Sequence, residues 1–373
     1  MELTRDFVPV KFLPARVEVE HRLDGSLVLR SPEALGPYVR CMGEYLERCA
    51  NEKPESVFLA EREGEQWRKL TWAGALQQVK RVGAALLQRN LSATRPIVIL
   101  SRNSIDHAVI VLAAMHVGVP VAPISPAYSL MSSDFGKLKS VFELLDPGLV
   151  FAADGKQFSA ALEAVGGHDF ELVVGANAKG LVKRALDLSS LAAQDDSARV
   201  DRAFLGVEPG TIAKFLLTSG STGEPKAVIN TQRMLCSNQQ SLAQAWPFLS
   251  DEPPVLVDWL PWNHTFGGNN NFGLVLRHGG TLYIDEGKPG PGLIETTVRN
   301  LREVSPTIYY NAPRGYDALA GYLEEDPVLR RSFFRRLKVM CYSGAGMPAS
   351  LWERLERVSV AELGRRVHMS TGW

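Results

Sequence analysis

Apolar residues fall into two rhythms along the chain. Short continuous runs such as Ile97-Val98-Ile99-Leu100, Leu149-Val150-Phe151 and Leu172-Val173-Val174 mark strands buried on both faces. Ala75, Val79, Val82 and Leu86 instead recur at helical spacing. The pattern predicts a strand ending at Leu70-Thr71, a helix to about Arg89, a strand at Ile97–Leu100, a helix over Ser104–Val117 and a strand at Val119–Pro123. A strand, a helix and a strand in that order call for parallel pairing, because only a crossover of that length returns the chain in the same direction. Ser31 to Ala50 also reads as helical.

The rhythm lapses at Gln194-Asp195-Asp196-Ser197-Ala198-Arg199, which is polar and aperiodic. A boundary near Val200 divides the chain into a first lobe, 1–200, and a second, 201–373. Strands then recur near Ile212–Leu217, Val255–Trp259, Thr281–Ile284, Thr307–Tyr310, Leu337–Tyr342 and Arg366–Met369, with helices between them. The expected fold class is α/β, with two largely parallel sheets covered by helices.

One segment breaks the alternation in a way packing does not explain. Directly after Phe215-Leu216-Leu217 the chain reads Thr-Ser-Gly-Ser-Thr-Gly-Glu-Pro-Lys, Thr218 to Lys226. Ordering so loose a stretch is costly unless a ligand is held. Glycines let a backbone approach a ligand closely, and successive N–H groups can form an anion-binding nest. Ser and Thr hydroxyls add donors, and Lys226 adds a positive charge. Read as a strand-to-helix loop, with a helix from Thr231, the segment suits phosphate. It is not a Walker A loop, since Gly220 and Gly223 are too close together and Lys226 follows Pro225. Read without a ligand, it is a flexible surface linker.

Composition narrows the field further. The 373 residues are 45% apolar and 22% charged, ordinary for a globular protein. Lys+Arg and Asp+Glu are both 41, so no basic face points to nucleic acid or to a membrane surface. No apolar run approaches the length of a membrane span, and the start of the chain does not read as a signal peptide. Cys41, Cys49, Cys236 and Cys341 form no CxxC pair, and are read as reduced, packed thiols in a cytoplasmic protein.

The stretch "TSGSTGEPK" resembles the signature of the acyl-adenylate-forming superfamily, which includes acyl- and aryl-CoA ligases, luciferases and peptide-synthetase adenylation domains. "INTQRMLCSNQQ", "VDWLPWNHTFGGNNNFGLVLRHGGTLYIDEGKP", "NAPRGYDAL" and "CYSGAGMPASLWERL" resemble feruloyl-CoA synthetases in particular. The resemblance implies the large N-terminal domain of an adenylate-forming enzyme. It departs at Ala227, where the signature usually has glycine. It also departs at Gly346-Met347, where relatives often read Gly-Ala-Ala.

The resemblance implies ATP, Mg²⁺ and CoA as co-substrates and a small aromatic or acyl carboxylic acid as partner. It implies phosphate contacts at Thr218, Ser219, Gly220, Ser221, Thr222, Gly223 and Lys226, with Lys226 and His264 as the candidate catalytic residues. His264, in an HxxG pattern, would lie beside the acyl carboxylate. It is not read as a base, because the acid is already ionised near neutral pH. Gly344, Ala345 and Gly346 would border adenine and the acyl group, and Thr371, Gly372 and Trp373 would complete the adenine site. Asn269, Asn270 and Asn271 are read as capping or lining the following helix. The family continues past this tryptophan with a Mg²⁺-binding glutamate, a ribose-binding aspartate, a small β-barrel and a C-terminal domain with its lysine. The chain is therefore expected to be a truncated large domain, inactive alone and able to self-associate near Trp373. Two other readings stay open: an adenylation enzyme that loads a carrier protein, and a non-catalytic nucleotide-binding remnant.

Overall fold

The computed structural model describes residues 6–193, 196–219 and 225–372, with Ser219 described by its backbone alone. Its first sheet runs in the order Pro225–Thr231, Ile212–Ser219, Val121–Pro123, Ile97–Leu100, Leu149–Ala152, Glu171–Val174 and Ala185–Asp187. All neighbours are parallel except the first two, which form an antiparallel hairpin at the edge. A four-stranded sheet orders Val255–Asp258, Thr281–Ile284, Val57–Glu63 and Gln66–Thr71, again with an antiparallel strand at its edge. A three-stranded parallel sheet, Ile308–Asn311, Val339–Tyr342 and His368–Thr371, abuts it where Thr307 N–H donates to Val255 O at 2.9 Å. Among the described residues no sheet closes into a barrel.

Alternation along the strands of the first sheet distributes side chains between two cores. Ile97 and Ile99 point into a large core shared with Phe58, Leu256, Leu282 and Ile308 of the other sheets. Val98 and Leu100 point the opposite way, into a second core with Phe142, Val150 and Leu162. The helix Ile105–His116 is buried along its whole length, as its nearly unbroken apolar sequence requires. Its first turn is capped by Ser104, whose Oγ accepts from His107 N–H at 3.1 Å. Thr71 and Thr231 cap the helices Trp72–Leu86 and Gln232–Ala245 in the same way.

The strand and helix positions expected from periodicity are present, with three differences. Residues 31–41 are not helical, and the helix there is Met42–Glu52. Pro32, Gly36 and Pro37 lie in that stretch, and each opposes helix formation. Second, the glycine-rich segment does not lead straight into a helix. A strand, Pro225–Thr231, intervenes and folds back antiparallel on Ile212–Ser219. Its Val228-Ile229 pair is β-branched and suits an extended strand. The turn therefore joins two strands, and phosphate binding at a helix N-terminus does not apply to it. Third, strand pairing crosses the position of Val200 in both directions. The hairpin after it joins the first sheet, while Val57–Glu63 and Gln66–Thr71 join the sheet of Val255–Asp258 and Thr281–Ile284.

Candidate functional site

The hairpin places Thr218 and Lys226 opposite one another, and both are exposed. No ion pair occupies Lys226 among the described residues, so its ammonium is free to meet an anion at the turn. Ser219 closes the strand. Gly220, Ser221, Thr222 and Gly223 lie outside the described residues, as does Trp373. Ala227 is paired with Leu217 inside the hairpin, so its methyl belongs to the strand and not to the turn.

His264 opens a tightly wound segment. Its ring is exposed, and Nδ1 accepts from the Phe266 N–H at 3.2 Å, which leaves the proton of the neutral ring on Nε2. Residues Phe266–Asn271 form a π-helical turn that runs into the helix Phe272–His278. The turn packs unusually close to the preceding loop. A Cβ on Gly268 would stand 2.1 Å from Trp262 O, so only glycine fits there.

Polar groups hold this turn and the loop before it from several sides. Asn103 donates to Leu260 O at 2.8 Å and accepts from Trp262 N–H at 3.0 Å. Gln239 donates to Asn269 O at 2.9 Å. Asn271 donates to Asp258 Oδ2 at 2.8 Å, while Leu260 N–H donates to Oδ1 at 3.0 Å. Burial still pushes the Asp258 carboxyl up to about 7, because two neutral donors do not replace the lost hydration. The asparagine triplet thus lies within the turn itself, and Asn271 bonds Asp258 instead of capping the helix that follows.

On the far side, the Phe266 ring meets Tyr310 edge-on at 5.6 Å, which brings the turn against the strand Ile308–Asn311. Along the same three-stranded sheet, Tyr342 pairs with both Asn311 and Thr371. Thr371 Oγ1 donates to Tyr342 O at 3.0 Å, and Ser343 Oγ donates to Gly372 O at 3.1 Å. The structure therefore brings Gly344, Ala345 and Gly346 beside Thr371 and Gly372, all exposed at the carboxyl ends of parallel strands. Such ends form ligand crevices in α/β sheets. Gly344 has φ of 88°, a left-handed conformation that favours glycine. The candidate residues thus form three stations, namely the hairpin, the His264 turn and this sheet edge. The turn meets the three-stranded sheet at Tyr310 and the hairpin at Lys214 and Asn230.

A cleft borders the loop that leads into the His264 turn, lined in part by Asn103, His107, Trp259, Trp262, Asn263 and Lys288. None of the sequence-predicted residues lines it. Its walls come from the ends of strands far apart in sequence. Burial lowers His107 to about 4, so its ring is neutral at physiological pH. Among the described residues, no group of three or more His, Cys, Asp or Glu side chains could hold a metal ion. No helix among them is long and apolar enough to cross a membrane.

Residues 46–367 match the family described as AMP-binding enzyme. The chain is 22% identical over 318 residues to a methyl-dioxo-octahydro-indenyl propanoyl:CoA ligase of Rhodococcus jostii (strain RHA1), covering 83% of this chain and 59% of that protein. It is 42% identical over 60 residues to a medium-chain-fatty-acid acyl-carrier-protein ligase of Teredinibacter turnerae (strain ATCC 39867 / T7901), covering 16% of this chain and 9% of that protein. The structure is similar to acetoacetyl-CoA synthetase from Streptomyces lividans, with a TM-score of 0.72 at 18% identity, covering 90% of this chain and 52% of that one. The chain thus spans 59% of the Rhodococcus protein and about half of the synthetase.

Proposed function

The chain belongs to the AMP-binding enzyme family, and on that premise we propose that it supplies the nucleotide and acid sites of an ATP-dependent acid–thiol ligase. The observation that carries this reading is the free Lys226 opposite Thr218 at the mouth of a glycine-rich turn, one station away from the exposed ring of His264. A carboxylate oxygen attacks the α-phosphorus of ATP. The bond from that phosphorus to the bridging oxygen of pyrophosphate breaks, and acyl-AMP forms. The thiol of CoA then attacks the acyl carbon and AMP leaves.

In this scheme Lys226 and the hydroxyls and amides of Thr218 to Gly223 meet the negative charge that develops on the phosphates. His264 forms one wall beside the carboxylate. Gly344, Ala345 and Gly346, with Thr371, Gly372 and Trp373, receive adenine. The work of these residues is positioning and electrostatics, not covalent chemistry. Mg²⁺ enters this reading as a companion of the nucleotide phosphates.

The sequence resemblance to feruloyl-CoA synthetases favours ferulate or a related phenylpropenoid as the acid. A second reading, transfer to a carrier protein in place of CoA, is favoured by the similarity to the carrier-protein ligase of Teredinibacter turnerae. Pyrophosphate release with ATP, Mg²⁺ and either ferulate, cinnamate or octanoate tests the acid. Release is expected to be greatest with ferulate, and greatest release with octanoate would reject the phenylpropenoid assignment. Adding CoA or a phosphopantetheinylated carrier to the preformed adenylate separates the two acceptors.

A further inference from the structure

The strand pair that carries the glycine-rich turn also grips the turn that carries His264. Lys214 and Asn230 are cross-strand partners in the hairpin. Lys214 Nζ donates to Gly268 O at 3.0 Å and to Asn269 Oδ1 at 3.4 Å. Asn230 Oδ1 accepts from Asn269 Nδ2 at 3.0 Å, and the same Nδ2 reaches Thr265 Oγ1 at 3.2 Å. One amide side chain is therefore held from both strands of the hairpin and passes that hold to the residue next to His264.

Lys214 is an expensive way to fill this position. It is 4% exposed and has no carboxylate partner among the described residues. Burial lowers its ammonium to about 8. Enclosing a charge without a counter-ion is destabilising, and an apolar side chain would stabilise a purely packed site better. What the lysine adds is direction, since its protons aim at two acceptors on one turn.

Building on the reading of the hairpin as the nucleotide site and of His264 as the neighbour of the acid, we propose that Lys214 and Asn230 are positioning residues. Acting through Asn269, they fix the His264 turn to the base of the hairpin, so that phosphate bound on one and carboxylate held beside the other are in register for attack. Order imposed on the hairpin by nucleotide is then passed to the turn.

Amide hydrogen exchange with and without ATP and Mg²⁺ tests this on the chain itself. The reporters are the amides of residues 212–219 and 226–231 in the hairpin, and those of Phe266 and Gly268, which bond His264 Nδ1 and His264 O. In the unaltered protein, ATP is expected to slow both sets, the turn by about fivefold or more. In Asn230→Ala and Lys214→Met the hairpin should still be slowed and the turn should not. A static packing role predicts faster exchange at the turn in both variants, with the same response to ATP. Asn230→Ala removes one amide from a half-buried position, so it serves even where Lys214→Met does not fold. Slowing of the turn by ATP in either folded variant to the same degree as in the unaltered protein would overturn the proposal. So would a turn that ignores ATP while the hairpin responds. A hairpin that itself ignores ATP rejects the nucleotide site, and the coupling falls with it.

Discussion

Two turns rich in small residues meet opposite fates in this fold. The turn Phe266–Asn271 is wedged against Trp262 and tied by Lys214, Asn230, Gln239 and Asp258. The turn at Gly344, Ala345 and Gly346 is exposed, and a Cβ at Gly346 would meet nothing within 4 Å. In the first, glycine exists because the backbone of another loop is close. In the second, space has been left where strand ends open outward. The contrast teaches that a small residue marks a ligand site only where the volume it leaves is not filled by the protein itself.

The largest test of that contrast is Gly268→Ala. Its methyl would collide with backbone, which cannot yield as a side-chain end can, so a loss of about 3 kcal/mol or more is expected. Urea unfolding measures it, and a loss below about 1 kcal/mol would mean that the wedge is softer than its geometry.

Next in size is the pH response of the carboxyl beneath the same turn. The pKa of Asp258 is raised to about 7, so the folded state holds a proton that the unfolded state releases near 4. The stabilisation is complete below about pH 4 and is lost as pH rises towards 7. His107, His116 and His278, lowered to about 4, oppose this trend between pH 4 and 6.5, but they are common to any pair of variants. Asp258→Asn keeps the shape without the titration. Its stability relative to the unaltered protein should therefore rise by about 3 kcal/mol from pH 4 to pH 7. A pH-independent difference between the two unfolding midpoints would contradict the assignment.

Lys226→Ala probes the open side. It should weaken ATP binding about tenfold, as befits one charge-assisted hydrogen bond, and leave acid binding unchanged. Calorimetric titration of each ligand decides this, and equal weakening of both would remove the division between hairpin and His264. The smallest expected effect belongs to Gly346→Ala, within about 0.5 kcal/mol of the unaltered protein by the same urea measurement. A larger cost there would erase the distinction between the two turns.

Legibility in the sequence followed the range of the interactions. Strands such as Ile97–Leu100 announce themselves by composition, and caps such as Ser104 by a residue and its neighbour three positions on. The hairpin at 212–231 is less legible, because the β-branched signal of Val228-Ile229 is short and follows directly on a glycine-rich stretch. Lys214, Asn230 and Asn103 have no visible tie to the His264 turn. Their partners lie 54, 39 and 157 residues away. Periodicity reports which face of an element is buried, but not which distant element it meets. The helix expected over Ser31–Ala50 shows the converse, since Pro32, Gly36 and Pro37 are local signals that outweigh the pattern.

The four cysteines give this architecture its own clocks. Cys41, Cys49, Cys236 and Cys341 are all free and buried, and burial raises each thiol, that of Cys236 to about 12. A thiol reagent attacks the thiolate, which these sites all but abolish while closed. Labelling therefore proceeds at the frequency with which each neighbourhood opens. Cys341 lies in the strand that leads to the open turn, and Cys236 lies in the helix that follows the hairpin. Their labelling rates keep separate time for the two ends of the site, in a protein that needs no added probe.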